Sequence, residues 1–226
     1  MTNYTAPVFE RAFSYDPPTD PLRIIHMDDD LILVEKPSGL LSVPGKSDEH
    51  KDCLESRLRR EHPETLLVHR LDHPTSGIMV FARNPAAQRH LGLQFEKRYV
   101  EKTYIARVSG HISEDTGKID LPLITDWPNR PRQKVDFEQG KQAITDWQVT
   151  DRKDDTTRLE LRPKTGRSHQ LRVHCMAIGH PILGDNFYAH ETARAAADRL
   201  QLHAYSLKFR HPIGGESVEF TQPCPF

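Results

Sequence analysis

Short apolar runs, many alternating with polar positions, dominate this chain and predict β-strands. Residues 22–25 and 31–35 are two such runs, and the acidic stretch 28–30 between them predicts a turn. Further strands are predicted at residues 66–70, 77–83, 100–110, 143–151, 157–162, 203–209 and 217–221. The strands come mostly in hairpin-like pairs, which favours antiparallel pairing.

Helices are predicted at fewer places, each marked by a capping signal. The predicted helices and their signals are 52–61 (a capping box of Asp52 and Glu55), 84–97 (Asn84 before Pro85), 168–178 (Ser168 at the start, Gly179 after the end) and 191–200. Strands therefore outnumber helices, and the predicted fold class is α+β, with a mixed, mostly antiparallel sheet flanked by helices and loops.

Two proline-rich stretches are predicted to lack regular structure. Residues 1–21 show no periodicity and form a predicted N-terminal extension, followed by a single predicted domain at 22–226. Residues 122–134 contain three prolines and predict a long loop. A doubly wound fold is not favoured, because the chain shows no regular alternation of strand and helix and no glycine-rich phosphate loop.

The net charge and its distribution along the chain bear on whether the protein can bind nucleic acid. The 226 residues carry a net charge of -1, which by itself counts weakly against nucleic-acid binding. The charge is unevenly distributed, since residues 1–66 hold 8 Lys and Arg against 13 Asp and Glu, whereas residues 97–172 hold 16 against 12. A basic face for phosphates is therefore compatible with the neutral total.

The expected environment is the cytoplasm. Three widely spaced cysteines without a CxxC pair support neither a disulfide framework nor a zinc ribbon, and reduced thiols are expected. No apolar run reaches the length of a membrane span, and the first 18 residues lack a secretory signal pattern. No cofactor motif is present, so no cofactor is expected, and a monomer is the default expectation.

The segment HRLDHPTSG at residues 69–77 places Arg70 and Asp72 in a short polar loop at the mouth of a strand. A lone loop aspartate usually caps or turns the chain. A catalytic role becomes more credible here because the same loop supplies Arg70 and further basic groups recur downstream.

The segment TGRSHQLRVH at residues 165–174 is the second candidate. If Ser168 starts a helix, then Arg172 lies one turn further on the same face. His169 and His174 are five residues apart, whereas a shared metal site on a helix favours a spacing of four. We therefore expect these histidines to be structural or to face RNA, and we expect no metal site.

Taken in order, four segments resemble the RluA family of pseudouridine synthases: KPSGLLSVPG, VHRLDHPTSGIMVFAR, KTYIARVSG and TGRSHQLRVHCMAIGHPILGDNFY. The resemblance covers roughly residues 24–221. It implies an isomerase without cofactor that converts uridine to pseudouridine in structured RNA. The implied substrates are a stem-loop of large-subunit (23S) ribosomal RNA and the anticodon stem-loop of tRNA.

The resemblance also implies residue roles. Asp72 matches the catalytic aspartate, Arg70 the arginine that enters the RNA stack, and Tyr104 the tyrosine that packs on the uracil ring. Arg172 matches the basic residue that pairs with the catalytic carboxylate. Without the resemblance, Tyr104 would be interpreted as an ordinary packing residue of a strand. The basic residues expected to contact RNA phosphates are Lys97, Arg98, Lys102, Arg130, Arg132, Lys134 and Arg167.

Several alternatives stay open at this point. The carboxylate of Asp72 can attack C1′ of the ribose, attack C6 of the uracil, or remove the C2′ proton, and the residues do not distinguish these routes. A glycoside hydrolase is disfavoured because such enzymes usually need two carboxylates and the motif offers one. An RNA-binding module without catalysis is the third alternative.

Overall fold

The computed structural model describes residues 15–226. In chain order, its elements are β1 (Arg23–Met27), β2 (Leu31–Lys36), α1 (Leu54–Glu61), β3 (Leu66–Leu67), β4 (Ser76–Ala82), α2 (Pro85–Glu96), β5 (Glu101–Ser109), β6 (Thr116–Asp120), β7 (Leu123–Thr125), β8 (Gln133–Val135), β9 (Ile144–Lys153), β10 (Thr156–Pro163), α3 (Gln170–Ala177), α4 (Glu191–Ala195), β11 (Leu202–Arg210) and β12 (Ser217–Thr221). Two single-turn 3-10 helices lie at Asp48–His50 and Trp127–Asn129. The elements divide between two compact units, which we describe separately.

The first unit comprises residues 15–102 and 203–225 of the described chain. Its strands follow the order β1-β2-β4-β11, with β12 added to β11 and β3 to β4. All of these pairs are antiparallel except β4 with β11, which is parallel. Strand β4 is buried along its whole length, as expected for a central strand, and its apolar side chains form a core with helix α2.

The second unit comprises residues 103–202 and Phe226. Strands β5, β10, β9 and β6 pair in that order, each antiparallel to its neighbour, and β7 pairs with β8 as a separate hairpin. Helix α3 packs its buried face on this sheet through Leu171 and Cys175. The predicted fold class is thus confirmed: an α+β chain with a mixed, mostly antiparallel sheet.

The N-terminal extension predicted at 1–21 is described only in part, because residues 1–14 lie outside the described residues. Residues 15–21 contain no helix or strand. They are nevertheless anchored to the first unit, since the Tyr15 hydroxyl donates to the carbonyl of Asp52 at 2.6 Å and Arg57 donates to the carbonyl of Pro18 at 2.7 Å.

The predicted capping box of helix α1 was wrong by one residue. Cys53 is the N-cap, and its sulfur accepts from the amide of Ser56 while the Ser56 hydroxyl accepts from the Cys53 amide. Asp52 instead binds the guanidinium of Arg57 through both carboxylate oxygens, at 2.8 and 2.6 Å. A bidentate charged contact was available to Asp52, and this contact removed it from the capping position.

The start of helix α3 was also predicted at the wrong residue. His169, in the left-handed region at φ 52°, is the N-cap, so Ser168 precedes the helix and does not share its face with Arg172. The start of α2 is confirmed, since the Asn84 side chain accepts from the amide of Ala87 at 2.9 Å. The loop predicted at 122–134 is instead largely the β7–β8 hairpin, whose turn contains Pro128 and Pro131.

Candidate active site

The loop that carries Asp72 is held by the segment that follows β2. The hydroxyl of Ser42 donates to the carbonyl of Leu71 at 2.7 Å and accepts from the amide of Leu71 at 3.1 Å. Ser38 donates to the carbonyl of Pro74 at 2.7 Å. These bonds fix the backbone on both sides of Asp72, whose side chain is half-buried. The resembling segment KPSGLLSVPG therefore serves to hold the aspartate loop.

Lys36 makes the strongest of these attachments. Its side chain is fully buried, and its ammonium donates to the carbonyls of Pro37, Leu40 and His73 at 2.9, 2.6 and 2.9 Å. A buried ammonium is tolerated only where hydrogen bonds replace its hydration. The result is a positive charge bonded to the residue directly after Asp72. The sequence analysis did not identify this lysine, although a lysine at the end of an apolar strand was a visible signal.

His69, which begins the HRLD motif, is a structural residue. Its Nε2 accepts from the amide of Val80 at 3.1 Å, and its ring stacks on Phe95 with the centroids 4.6 Å apart. This side-chain bond explains why β3 is shorter than predicted: beyond Leu67, the imidazole and not a backbone carbonyl bonds to the neighbouring strand. Burial lowers the pKa of His69 to about 3, and the charge of Lys102 adds to the effect.

Replacing His69 with glutamine is expected to flatten the acid side of the stability profile. In the unfolded chain His69 takes up a proton below its usual pKa of 6.5, whereas the folded ring stays neutral to about pH 3. The unfolded state therefore binds more protons, and stability is lost as pH falls. Between pH 7 and pH 5 this loss is about 1–2 kcal/mol, and His69→Gln should remove it.

The measurement is urea unfolding of both proteins at pH 7 and pH 5. His90→Gln is the matched control, because His90 is also partly buried and bonded to a side chain, that of Gln94. An equal pH dependence in wild type and His69→Gln would contradict a buried neutral imidazole at position 69.

Gly77 closes the loop and cannot carry a side chain. Its φ is +118°, and a Cβ built on it would lie 2.2 Å from the carbonyl oxygen of Ala204. This close approach is made by the parallel pairing of β4 with β11, in which Gly77 is the partner of Ala204. The glycine of HRLDHPTSG is therefore required by the sheet beside the loop.

In the second unit, Tyr104 lies on β5 opposite Leu161 of β10. It is half-buried and packs against the apolar cluster that includes Ala106, Leu161 and Leu171. A flat, partly accessible ring on a rigid strand suits both the packing role and the stacking role expected for this residue.

Arg172 is fully buried on helix α3, and it binds Asp185 in a bidentate pair. Its Nε and Nη2 donate to the two carboxylate oxygens of Asp185, both at 2.7 Å. The guanidinium also lies over the rings of Phe187 and Tyr188, 5.1 Å from each centroid. Burial alone would raise the pKa of Asp185, but the positive charge and hydrogen bonds of Arg172 and the amides of Phe187 and Tyr188 keep it below its usual value.

Asp185 is therefore a site residue that the sequence analysis missed. Its Oδ1 accepts from the amides of Phe187 and Tyr188 at 2.8 and 3.1 Å, so the loop GDNFY folds around the carboxylate. The signal was present, since an aspartate in an otherwise apolar and aromatic stretch needs a buried partner. No local spacing links it to Arg172, which lies 13 residues earlier.

The β7–β8 hairpin is tied to the Arg172 region through Tyr188. The Tyr188 hydroxyl accepts from the amide of Gln133 at 2.8 Å and lies 2.6 Å from Nδ1 of His169. The guanidinium of Arg132 stands 5.6 Å from the ring of Phe187, the same ring that Arg172 covers. The hairpin thus brings its basic residues to the region of Arg172.

The two histidines of TGRSHQLRVH, expected to be structural or to face RNA, both have hydrogen-bond partners within the protein. His169 is bonded to Tyr188. His174 is fully buried and bonded to the hydroxyl of Thr145 and the carbonyl of Leu121, at 2.9 and 3.1 Å. His174 is structural.

The remaining basic candidates fall into four places. Arg70 is exposed on the Asp72 loop, and Lys97, Arg98 and Lys102 follow helix α2 in the same unit. Arg130, Arg132 and Lys134 belong to the β7–β8 hairpin, where Arg130 lies over the ring of Trp127 at 4.6 Å. Arg167 precedes α3 and donates to the carbonyl of Gln142 at 3.1 Å.

The family follows from comparison with known proteins. Residues 30–177 match the family model described as RNA pseudouridylate synthase, and these residues contain Asp72, Tyr104 and Arg172. The chain therefore belongs to the RNA pseudouridylate synthase family, and it is an isomerase that acts on RNA.

Among its relatives are proteins named dual-specificity RNA pseudouridine synthase RluA. The chain is 54% identical to the one from Escherichia coli (strain K12), over 94% of this chain and 98% of that protein. It is 56% identical to the one from Yersinia pestis, over 90% and 99%. A solved structure of human RNA Pseudouridylate Synthase Domain Containing 1 is also similar, with a TM-score of 0.78 and 32% identity over 93% of this chain and 87% of that one. The resemblance to the RluA family is confirmed.

None of the helices formed by residues 15–226 combines the length and apolar character needed to cross a bilayer.

Proposed function

We propose that this enzyme isomerises specific uridines in two RNA classes, a stem-loop of large-subunit (23S) ribosomal RNA and the anticodon stem-loop of tRNA. The observation that carries the proposal is the likeness, over nearly the full length of both chains, to relatives whose names state dual specificity. An enzyme for two RNAs must recognise what they share, and stem-loops share a backbone shape and a few exposed bases.

The proposed reaction begins with Asp72. The C1′–N1 bond of uridine breaks and a C1′–C5 bond forms, while N1 gains a proton and C5 loses one. An ionised carboxylate serves all three open routes, namely attack at C1′, attack at C6 and removal of the C2′ proton. The attachments of the loop by Ser38, Ser42 and Lys36 support this role, because they hold the backbone around Asp72 in place.

Arg172 is proposed to keep Asp72 ionised. Two nitrogens of its guanidinium are bound to Asp185. Asp185 would then act through Arg172, by fixing the plane of the guanidinium. A guanidinium stays charged at any relevant pH, which makes it suited to this task.

The target base has to leave the stack before any route can begin. Flipping costs a few kcal/mol, and we propose that Arg70 offsets part of this cost by filling the vacated space. Its exposed position on the Asp72 loop supports this role. Arg98 and Lys102 are proposed phosphate contacts, since burial and the nearby charge of Arg98 lower the pKa of Lys102 and an anion between them would relieve the repulsion.

Tyr104→Phe is expected to retain much of the activity, whereas Tyr104→Leu should lose most of it. If the ring stacks on uracil, the flat face matters and the hydroxyl does not, and such a stack contributes about 1–3 kcal/mol. The measurement is single-turnover formation of pseudouridine in a tRNA anticodon stem-loop, with the fold checked by circular dichroism. An equal loss in both variants would point to the hydroxyl and against stacking.

The proposal on targets is tested in vitro and in cells. Transcribed tRNA and 23S stem-loops are incubated with the enzyme and then analysed for pseudouridine, free uracil and bound RNA. We expect pseudouridine in both RNAs, no free uracil and no effect of EDTA. Mapping of pseudouridine in cells that lack the enzyme identifies the natural positions. Modification of only one of the two RNA classes would refute dual specificity.

We also propose that the enzyme works as a cytoplasmic monomer. Light scattering coupled to size-exclusion chromatography tests the oligomeric state. A mass above that of one 26.0 kDa chain would refute the proposed monomer.

A further inference from the structure

Three side chains that could bind a metal, those of Asp28, Asp30 and His211, converge in the first unit, from the turn between β1 and β2 and from the segment after β11. Nε2 of His26 lies 2.8 Å from Oδ2 of Asp28, and Nε2 of His211 lies 3.2 Å from the same oxygen. A carboxylate oxygen of Asp30 is within 4.8 Å of the ligand atoms of Asp28 and His211. One imidazole and two carboxylates thus come together, and a second imidazole, that of His26, contacts the shared oxygen of Asp28.

The hydrogen bonds of His211 leave its Nε2 as the ligand atom. Its Nδ1 lies 2.9 Å from the carbonyl oxygen of Ile213, which can only accept, so Nδ1 carries the ring hydrogen of the neutral form. The amide of Ile213, 3.2 Å from the same nitrogen, then makes at most a secondary contact. A ring nitrogen that donates to a carbonyl is the arrangement usual for metal-binding histidines, and it leaves the other nitrogen for the metal.

The carboxylates of Asp28 and Asp30 are also oriented by hydrogen bonds from the protein. Oδ1 of Asp28 accepts from the amides of Asp30 and Leu31 at 2.8 and 2.9 Å, which directs Oδ2 towards the histidines. Oδ1 of Asp30 accepts from the side-chain amide of Asn84 at 2.7 Å. Each carboxylate therefore has one oxygen held by the protein, and this reduces the ordering that metal binding would require.

The distances fit a small divalent ion. Ligand atoms at about 2.0–2.1 Å from a tetrahedral Zn²⁺ stand about 3.3–3.4 Å apart. The contact between Nε2 of His211 and Oδ2 of Asp28, at 3.2 Å, is already close to this length. The side chains of His26, Asp28 and His211 are 38%, 32% and 20% exposed, so an ion can enter from solvent.

We propose that Asp28, Asp30 and His211 form a binding site for a divalent transition metal of the zinc class, with His26 beside it on the shared Asp28 oxygen. Imidazole and carboxylate together favour such ions over Mg²⁺, which prefers oxygen ligands and water. The bound ion joins the β1–β2 turn to the segment after β11. Arg83 donates to the main-chain carbonyl of Asp28, and its charge is offset by Glu64 at 2.7 Å.

The expectation of no metal site came from the spacing of histidines along the sequence. It does not apply to this site, because His211 lies 183 residues from Asp28 and only the fold brings them together. The site is separate from the residues proposed for the isomerase reaction.

The test is calorimetric titration of ZnCl₂ into the untagged full-length protein at pH 8, after treatment with EDTA and dialysis. We expect one Zn²⁺ per chain and a rise in melting temperature, with no heat from MgCl₂ at the same concentration. His211→Gln and Asp28→Asn should each weaken Zn²⁺ binding at least about tenfold. Asn at position 28 retains the oxygen that accepts from Asp30 and Leu31, so the turn is expected to survive.

Two control variants address other binding groups. Cys224 is a partly accessible thiol and His111 an exposed imidazole outside the site, and Cys224→Ser and His111→Gln should bind Zn²⁺ as wild type does. Absence of binding, or equal binding by wild type and both site variants, would overturn the proposal. Pseudouridine formation is expected to be the same with and without Zn²⁺, so failure here is distinguishable from failure of the proposed function.

Discussion

Replacing Asp72 with asparagine is expected to abolish pseudouridine formation, with a loss of at least about 10⁴-fold in the single-turnover rate. Asparagine has nearly the same shape but supplies neither a nucleophilic oxygen nor a base. Asp72 is half-buried, and Ser38, Ser42 and Lys36 bond to the backbone of its loop. The loop is therefore expected to keep its conformation in the variant.

Two further measurements distinguish a loss of catalysis in Asp72→Asn from a loss of RNA binding or of folding. RNA affinity, measured by filter binding at fixed salt, should remain within about threefold of wild type, because phosphate contacts dominate affinity. Asp48→Asn is the matched control, since Asp48 is an exposed aspartate in a 3-10 turn that the proposed mechanism does not use. If Asp72→Asn formed pseudouridine at the normal rate, no version of the proposed mechanism would survive.

The sequence predicted most of the strands because their apolar positions alternate and their pairing is local. Strands β9 and β10 are an example, since the hairpin that joins them brings neighbouring segments into register. The parallel pairing of β4 with β11 could not be predicted in the same way. His203 and Ser76, which face each other there, lie 127 residues apart, and only the folded sheet brings them together.

The helix starts show how side-chain competition limits sequence analysis. Asp52 and Cys53 are adjacent, and by residue preference aspartate is the better cap. The preference was overruled because Arg57, one turn into the helix, offers Asp52 a bidentate partner. Such an outcome depends on the relative energies of two good interactions, and a pattern of residue types does not contain that comparison.

The sequence pointed to the residues proposed for catalysis, but it did not point to the residues that hold them in place. Asp72, Tyr104 and Arg172 were selected through motif resemblance, and their roles stay predictions. Lys36 and Asp185, which hold the elements around them, were missed because each acts on a segment distant in sequence. Buried charges of this kind carry no local periodicity, and their partners become evident only in three dimensions.

Arg172→Met is expected to lose pseudouridine formation and also to lose stability, so the single variant cannot separate the two roles of this side chain. Removal of the guanidinium leaves the carboxylate of Asp185 buried without its bidentate partner, and such a change costs about 3–5 kcal/mol. Loss of activity in this variant, or in Arg172→Ala, could therefore reflect partial unfolding alone.

The double variant Arg172→Met/Asp185→Asn removes this ambiguity. Asparagine keeps an oxygen for the amides of Phe187 and Tyr188, and methionine packs against the two rings that the guanidinium covers. Replacement of both members of a buried ion pair is often neutral, so at least half of the lost stability should return. Urea unfolding measures this recovery.

Activity of the double variant then decides the role of Arg172. If the guanidinium supports the ionised form of Asp72, the refolded double variant should remain at least about 10³-fold slower than wild type. A purely structural Arg172 predicts the opposite, because activity would return together with stability. Activity and stability have to be measured on the same preparation, since a purely structural defect lowers both together and a catalytic one lowers activity alone.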